Sequence, residues 1–357
     1  MIDRELITLA GGVVMAGFRG TTAGAGSAIA RQVRDLQLAG VILFDRDAAL
    51  GTGGRNITGP VQLAELAREL RAARRDLLIA VDQEGGRVAR LNPGCGFAAF
   101  PGHAALGAGR DPASTHHAAA AIAAECAAAG INVNFAPVVD LNTHPANPII
   151  GALGRSFSAD PQAVAAHAAA FIDAHRAHGV LTALKHFPGH GSSRGDTHLQ
   201  SVDITATFDE RELLPYRELI AADRADMIMA GHLTHRDLDA QLPASLSPQI
   251  IGRLLRCELG FGGVVVTDCL EMAAISGRYA LRESVSLALN AGVDLLLFGN
   301  NSALYSEDKP EQVVAAVIDA VRRGDVSPGQ LRQHAERVQA LARRRGRGAV
   351  SQGLASA

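Results

Sequence analysis

The chain has 357 residues, a formal net charge of −2, 48% hydrophobic residues, 4% aromatic residues and no tryptophan. That balance excludes a surface shaped for nucleic acid or anionic lipid, and Cys95, Cys126, Cys257 and Cys269, with no CxxC pair among them, exclude a zinc-finger or disulfide framework. No run reaches the length of an uncharged membrane span, and the opening MIDRELITLA carries acids instead of a basic and apolar leader, so a cytoplasmic location is expected.

In chain order, eight short apolar runs end in polar or glycine residues: VVMAGFRG (13–20), GVILFDRD (40–47), LLIAVDQEGG (77–86), INVNFAPVVD (131–140), VLTALKHFPGHG (180–191), DMIMAGHL (226–233), GVVVTDCL (263–270) and VDLLLFGN (293–300). They are continuous and not alternating, the pattern of strands buried on both faces of a parallel sheet. Helix starts are marked by a capping residue and a proline at Asp111-Pro112, Asp160-Pro161, Ser247-Pro248 and Ser327-Pro328, with Gly59-Pro60 a weaker case. Between Gln162 and His178, the residues Val164, His167, Ala168, Phe171, Ile172 and His175 fall on one helical face. Helices near 310–324 and 328–345 follow the last run and are expected to pack outside the ring. Eight strand-then-helix units with no linker predict a (β/α)₈ TIM barrel, one domain over 1–346 with 347–357 as a flexible tail. The cluster Arg343, Arg344, Arg345 and Arg347 reads as a solvated, frayed end.

A barrel builds its site at the C-terminal ends of its strands. There the sequence places Asp82, Gln83, Glu84, Asp140, Asn142, Lys185, His186, His232, Asp268 and Asn300, whereas the strand beginnings are dominated by Gly, Val, Leu and Ala. The segment KHFPGHGSSRGDTH (185–198) is the loop after the fifth strand. Its glycines and Pro188 dictate irregular backbone, and its histidines can be aimed into the barrel mouth. Asp196 and His198, two apart, point to one side of an extended segment, and a carboxylate beside an imidazole makes a usable acid/base pair. A loop-shaping role for the same histidines is the alternative. Zinc ligation is a further alternative, but the first strand ends in Gly17-Phe18-Arg19-Gly20, where an arginine opposes a cation. The Gly-rich TTAGAGSA (21–28) lacks both phosphate-loop signatures and reads as a helix entry.

With that loop, the motifs AVDQEGGRVARL (80–91), NFAPVVDLN (134–142), NPIIGALGRSFS (147–158), MIMAGHL (227–233) and VVVTDCLEM (264–272) stand in the order and near the spacing of glycoside hydrolase family 3. The chain resembles in particular its single-domain β-N-acetylglucosaminidase (β-hexosaminidase) branch, over most of its length. The resemblance implies that Asp268 is the nucleophile, that His198 is the acid/base with Asp196 as its orienter, and that Asp82, Arg90, Arg155, Lys185 and His186 hold the sugar. It departs from the commoner pattern at GALG before Arg155, at SSRG in the loop and at Cys269. Cys269 reads as a small buried residue and not a reactant.

The resemblance thus implies a retaining exo-β-N-acetylglucosaminidase acting on terminal β-linked GlcNAc of peptidoglycan or chitin fragments, through a glycosyl-aspartate. A β-glucosidase or broad β-glycosidase is the alternative within the class, and a non-catalytic glycan-binding barrel the alternative outside it. No metal or cofactor is implied. An oligosaccharide is the expected partner, with no nucleic acid or membrane, and the chain is expected to be a monomer.

Overall fold

A computed structural model describes residues 4–303 and 305–348. Its main sheet holds eight strands: β1 (Val14–Gly17), β2 (Gly40–Ile42), β3 (Leu78–Val81), β4 (Val133–Asn134), β5 (Leu181–Phe187), β6 (Met227–Ala230), β7 (Val264–Thr267) and β8 (Leu296–Phe298). They pair in parallel, each beside its sequence neighbours, and β1 returns to β8 through Val14 and Leu296. A parallel bridge from Val266 to Leu295 joins β7 to β8 and closes the ring. Helices Ala28–Asp35, Pro60–Ala73, Pro112–Ala128, Pro161–Ala177, Leu214–Ala221, Pro248–Glu258 and Leu281–Ala291 cross between successive strands. The architecture is the (β/α)₈ barrel that the apolar runs predict.

The capping residues act as their chemistry requires. Asp111 accepts from the amides of Ala113 and Ser114, Asp160 from that of Gln162, and Ser247 from that of Ile250; each such cap contributes about 1 kcal/mol. Ser27, at the end of the Gly-rich segment, caps Ala28–Asp35 through Ala30 N, so that segment is a helix entry. On Pro161–Ala177 the face of Val164, His167, Ala168, Phe171, Ile172 and His175 is buried.

Strand alternation sorts the core into two layers. Met15, Ile42, Leu78, Ala80, Val133, Leu181, Ala183, Met227, Met229, Val264, Val266 and Leu297 form one cluster, inside the barrel. Val14, Ala16, Ile79, Val81, Leu184, Ile228, Ala230, Val265, Leu296 and Phe298, at the alternate positions, pack outward in the cluster shared with the helices. Truncating one of the buried Leu, Ile or Met side chains among them to alanine costs about 2–5 kcal/mol. The inner register matters for function, because continuing it past the apolar layers leads from Leu78 and Ala80 to Asp82, from Leu181 and Ala183 to Lys185, and from Val264 and Val266 to Asp268.

Two expectations about the C-terminal end are corrected. The last helix, Pro328–Gly348, does not pack only outside the ring: Val338 and Leu341 join the interior cluster. It also runs through Arg343 and Arg344 to Gly348, so the arginine cluster lies on a helix. Of the expected tail 347–357, residues 349–357 lie outside the described residues.

Candidate active site

A cavity of about 890 Å³ opens at the C-terminal ends of the strands. Its lining includes Asp268, His198, Asp196, Asp82, Arg90, Arg155, Lys185 and His186, so all eight residues singled out in the sequence converge. Ile42, Met229 and Leu297, members of the interior core, also line it. The cavity is therefore blind at its apolar base.

One part is a buried ion cluster. Lys185 Nζ lies 2.9 Å from Asp82 Oδ1 and 2.7 Å from Glu84 Oε1. Arg155 donates two parallel hydrogen bonds of 2.8 Å to the Glu84 carboxylate and a third, 2.9 Å, to the Ile149 carbonyl. Burial opposes the charge on Glu84, yet Arg155 and Lys185 hold its carboxyl well below the usual range. Burial likewise works against the Lys185 ammonium, but Asp82 and Glu84 outweigh it and raise its pKa. Charges in so little water persist only as mutually compensated pairs. Arg90 is looser, 3.7 Å from Asp82 and 4.0 Å from Asp45.

His186 reaches the same cavity although it neighbours Lys185 in a strand. The pairing of β5 with β6 slips there: Met229 faces Lys185, but Ala230 faces Phe187. That bulge leaves one extra residue on β5, the kind of irregularity that re-aims a side chain. Buried Asp140 then fixes the ring, accepting from His186 Nδ1 at 2.7 Å and from the His186 amide at 3.0 Å, so Nε2 faces Arg155.

The other part is a loop. Asp196 Oδ1 lies 2.7 Å from His198 Nδ1 and accepts from the His198 amide at 2.8 Å. With Nδ1–H engaged, Nε2 is the atom left to exchange a proton. The His198 side chain is 59% exposed and that of Asp196 24%, against 2% for Lys185 and 1% for Glu84. The loop rests on the segment after β7, where Ala273 N and Ala274 N donate to the His198 and Thr197 carbonyls at 3.4 and 3.3 Å.

Asp268 directly follows β7, partly buried, with its Oδ1 accepting from Cys269 N at 2.7 Å. Burial would raise its pKa, but His232, His186 and His198 with that amide bring it down to about 2. The group is ready as a carboxylate.

The model of the glycosyl hydrolase family 3 N-terminal domain matches residues 15–341. The chain belongs to this family. It is 41% identical over 279 residues to a beta-hexosaminidase of Tolumonas auensis, covering 76% of this chain and 78% of that one. It is 37% identical over 328 residues to beta-hexosaminidase A of Pseudoalteromonas piscicida, covering 85% of this chain but 53% of the relative, so the chain spans about half the length of that protein. A solved family 3 beta-N-acetylglucosaminidase from Paenibacillus sp. superposes with a TM-score of 0.86 at 36% identity, covering 96% of this chain and 62% of that one.

Within this family 3 barrel the strand-end residues Gln83, His232 and Asn300 prove to be supports, whereas the buried Oδ1 of Asn142 has no hydrogen-bond partner among the described residues. Gln83 bonds both the amide and the carbonyl of Leu91, pinning the hairpin that carries Arg90. His232 is engaged by Ser245 Oγ and the Cys269 carbonyl, and Asn300 by Gly17 O and Ser306. Arg19 pairs with Asp47 at 2.6 Å and stacks on Tyr305. Cys269 lines the cavity, but burial and Glu271 push its thiol up to about 12, so it stays protonated. Sequence reasoning missed Glu271, which also lines the cavity and faces Lys309 at 3.2 Å. Its position beyond the strand, three residues after Asp268, is a signal that could have drawn attention to it.

Proposed function

We propose that the chain is a retaining exo-β-N-acetylglucosaminidase; relatives in family 3 are named beta-hexosaminidase and beta-N-acetylglucosaminidase. The observation that supports this reading best is that one blind cavity gathers an ionised carboxylate, Asp268, and an Asp–His pair with a free imidazole Nε2. The blind base admits a terminal sugar and leaves the rest of the glycan at the mouth.

In the first step Asp268 attacks the anomeric carbon, the glycosidic bond breaks, and the His198 imidazolium gives its Nε2 proton to the departing oxygen. Asp196, bonded to Nδ1, offsets the imidazolium charge and fixes the tautomer. In the second step neutral His198 takes a proton from water, whose oxygen replaces the carboxylate at the anomeric carbon, with net retention. Asp82, Arg90, Arg155, Lys185 and His186 supply donors and acceptors for the sugar. Every step uses side chains of the chain itself. Terminal β-linked GlcNAc on peptidoglycan or chitin fragments is the proposed substrate.

Paired p-nitrophenyl β-GlcNAc and β-glucoside assays test the reading. A kcat/KM preference for the acetamido sugar is expected; preference for glucose would make the chain a β-glucosidase. Turnover of neither would leave a glycan-binding barrel.

A further inference from the structure

The dyad rides on a loop whose two ends differ. Arg194, His198 and Leu199 are exposed, whereas residues 190–193 are buried. That buried root is gripped largely through its main chain by three side chains from two other segments. Asp140, after β4, accepts from the His190 amide at 2.8 Å. Asn147 donates to the His190 carbonyl at 2.7 Å and to Ser193 Oγ at 3.0 Å, and Ser193 Oγ in turn lies 2.7 Å from His190 Nδ1. Glu212, from the helical turn Glu210–Leu213 after β5, accepts from the amides of Gly191 at 2.9 Å and Ser192 at 3.0 Å, one with each carboxylate oxygen.

Glu212 is buried, and the chemistry proposed above does not use it. Its carboxylate spans two successive amides as a fork, and the loop backbone runs so close that a Cβ at Gly189 would fall 2.6 Å from it. Gly189 has φ +144, a conformation glycine tolerates. Burial and the Asp140 charge raise the pKa of the Glu212 carboxyl, while the Gly191 and Ser192 amides, one on each oxygen, favour its ionised form and pull the other way. An apolar side chain would fill that space without the penalty, but would leave two buried amides unpaired.

We infer that Glu212, opposed by the Asn147–Ser193–His190 link, is a positioning residue: it fixes the root of the loop and thereby sets where His198 delivers its proton. The inference rests on the reading of His198 as the acid/base. A proton donor displaced by about 1 Å loses much of its effect, so loosening the root costs rate where protonation of the leaving group matters and little elsewhere.

The test compares kcat/KM for an alkyl and a 2,4-dinitrophenyl β-GlcNAc substrate in wild type, Glu212→Gln, Ser193→Ala, His198→Ala and the Glu212→Gln/His198→Ala double variant. Glutamine puts an NH₂ against a backbone N–H and breaks one tine of the fork. Expected is a loss on the alkyl substrate about tenfold or more beyond that on the activated one, a smaller split in the same direction for Ser193→Ala, and no added loss from Glu212→Gln when His198 is already alanine. Trypsin should also cut after Arg194 faster in Glu212→Gln than in wild type.

If His198→Ala is selective but Glu212→Gln slows both substrates equally, the positioning role falls and the acid/base reading stands. If His198→Ala itself slows both equally, both fall. Should Glu212→Gln fail to fold, Ser193→Ala carries the same comparison, and an even loss there overturns the inference.

Discussion

Asp82, Glu84, Arg155 and Lys185 sit on or against strand ends, with Glu84 and Lys185 almost wholly out of water, while Asp196 and His198 stand on a loop with the imidazole 59% exposed. The first group is a closed electrostatic circuit in which every charge has a partner within about 3 Å. Such a cluster is preorganised: it can exchange one of its hydrogen bonds for a sugar hydroxyl without rebuilding the rest. In the mechanism proposed above, the second group meets a leaving group, then a water, and exchanges protons with both, which a sealed site would prevent. An exposed pair of this kind contributes about 0–1 kcal/mol to stability, whereas removing one partner of a buried pair costs about 3–5 kcal/mol. On the proposed reading, binding and proton transfer call for opposite degrees of solvent access, and one cavity supplies both.

The sharpest test of that division lies at Asp268, the proposed nucleophile. Asp268→Asn is isosteric and should leave the melting temperature near that of wild type while kcat falls by on the order of 10⁴-fold or more. Residual turnover above a few per cent, in protein free of deamidation, would remove Asp268 from the role of nucleophile.

Next in size is His198→Ala. A loss of about 10²–10⁴ in kcat/KM is expected on alkyl glycosides, far less on dinitrophenyl glycosides, and no change in melting temperature; Asp196→Ala should follow the same pattern more weakly. A clear drop in melting temperature would show that the loop pair is as structural as the ion cluster, and the contrast would dissolve.

Glu84→Gln should do the converse. It leaves Arg155 and Lys185 buried with one carboxylate fewer, so denaturant unfolding should report a loss of about 3–5 kcal/mol, with a raised KM and little dependence on the leaving group. An unchanged stability would mean that the cluster is less desolvated than its geometry indicates.

The smallest effect separates the cavity from the scaffold beneath it. Burial pulls His175 down to about 4, and its ring donates from Nδ1 to the Phe171 carbonyl, so that Nε2 accepts from the Asn134 amide. The folded state binds the neutral ring, and the unfolded chain takes up the proton first. Stability from this group is therefore full above about pH 6.5 and is lost as pH falls toward 4. The loss amounts to about 3 kcal/mol at most for one such histidine. His175→Gln should flatten part of the wild-type decline in unfolding free energy between pH 7 and 4.5; an unaltered slope would place the titration elsewhere.

Much of this was open to reading in the chain itself. Strands buried on both faces appear as bare apolar runs, and period-two counting along VVVTD or LTALK carries the eye from core residues to Asp268 and Lys185. The dyad was legible because its partners are two residues apart. What the sequence concealed joins distant segments: Arg155 to Glu84 across 71 residues, Glu212 to Gly191, and Asn147 to His190. Nothing local marks such pairs, because their meeting is decided by barrel closure. The bulge that lets both Lys185 and His186 face inward was hidden for the same reason, since a strand pattern alone would have turned one of them away. His232 and Asn300 show the reverse error of position without role: they stand at strand ends, yet their polar atoms are used by the fold.

The seat of the dyad loop on Ala273 and Ala274 has a consequence for recombination. The portable element is bipartite, comprising residues 189–200 and the stretch after Asp268, two pieces separated by more than sixty residues of unrelated barrel. A chimera with its crossover anywhere between them would inherit the proposed proton donor from one parent and its footing from the other. Such hybrids should bind glycans normally, keep their activated-substrate turnover and lose the ability to cleave unactivated bonds, while exchanging both pieces together should restore it.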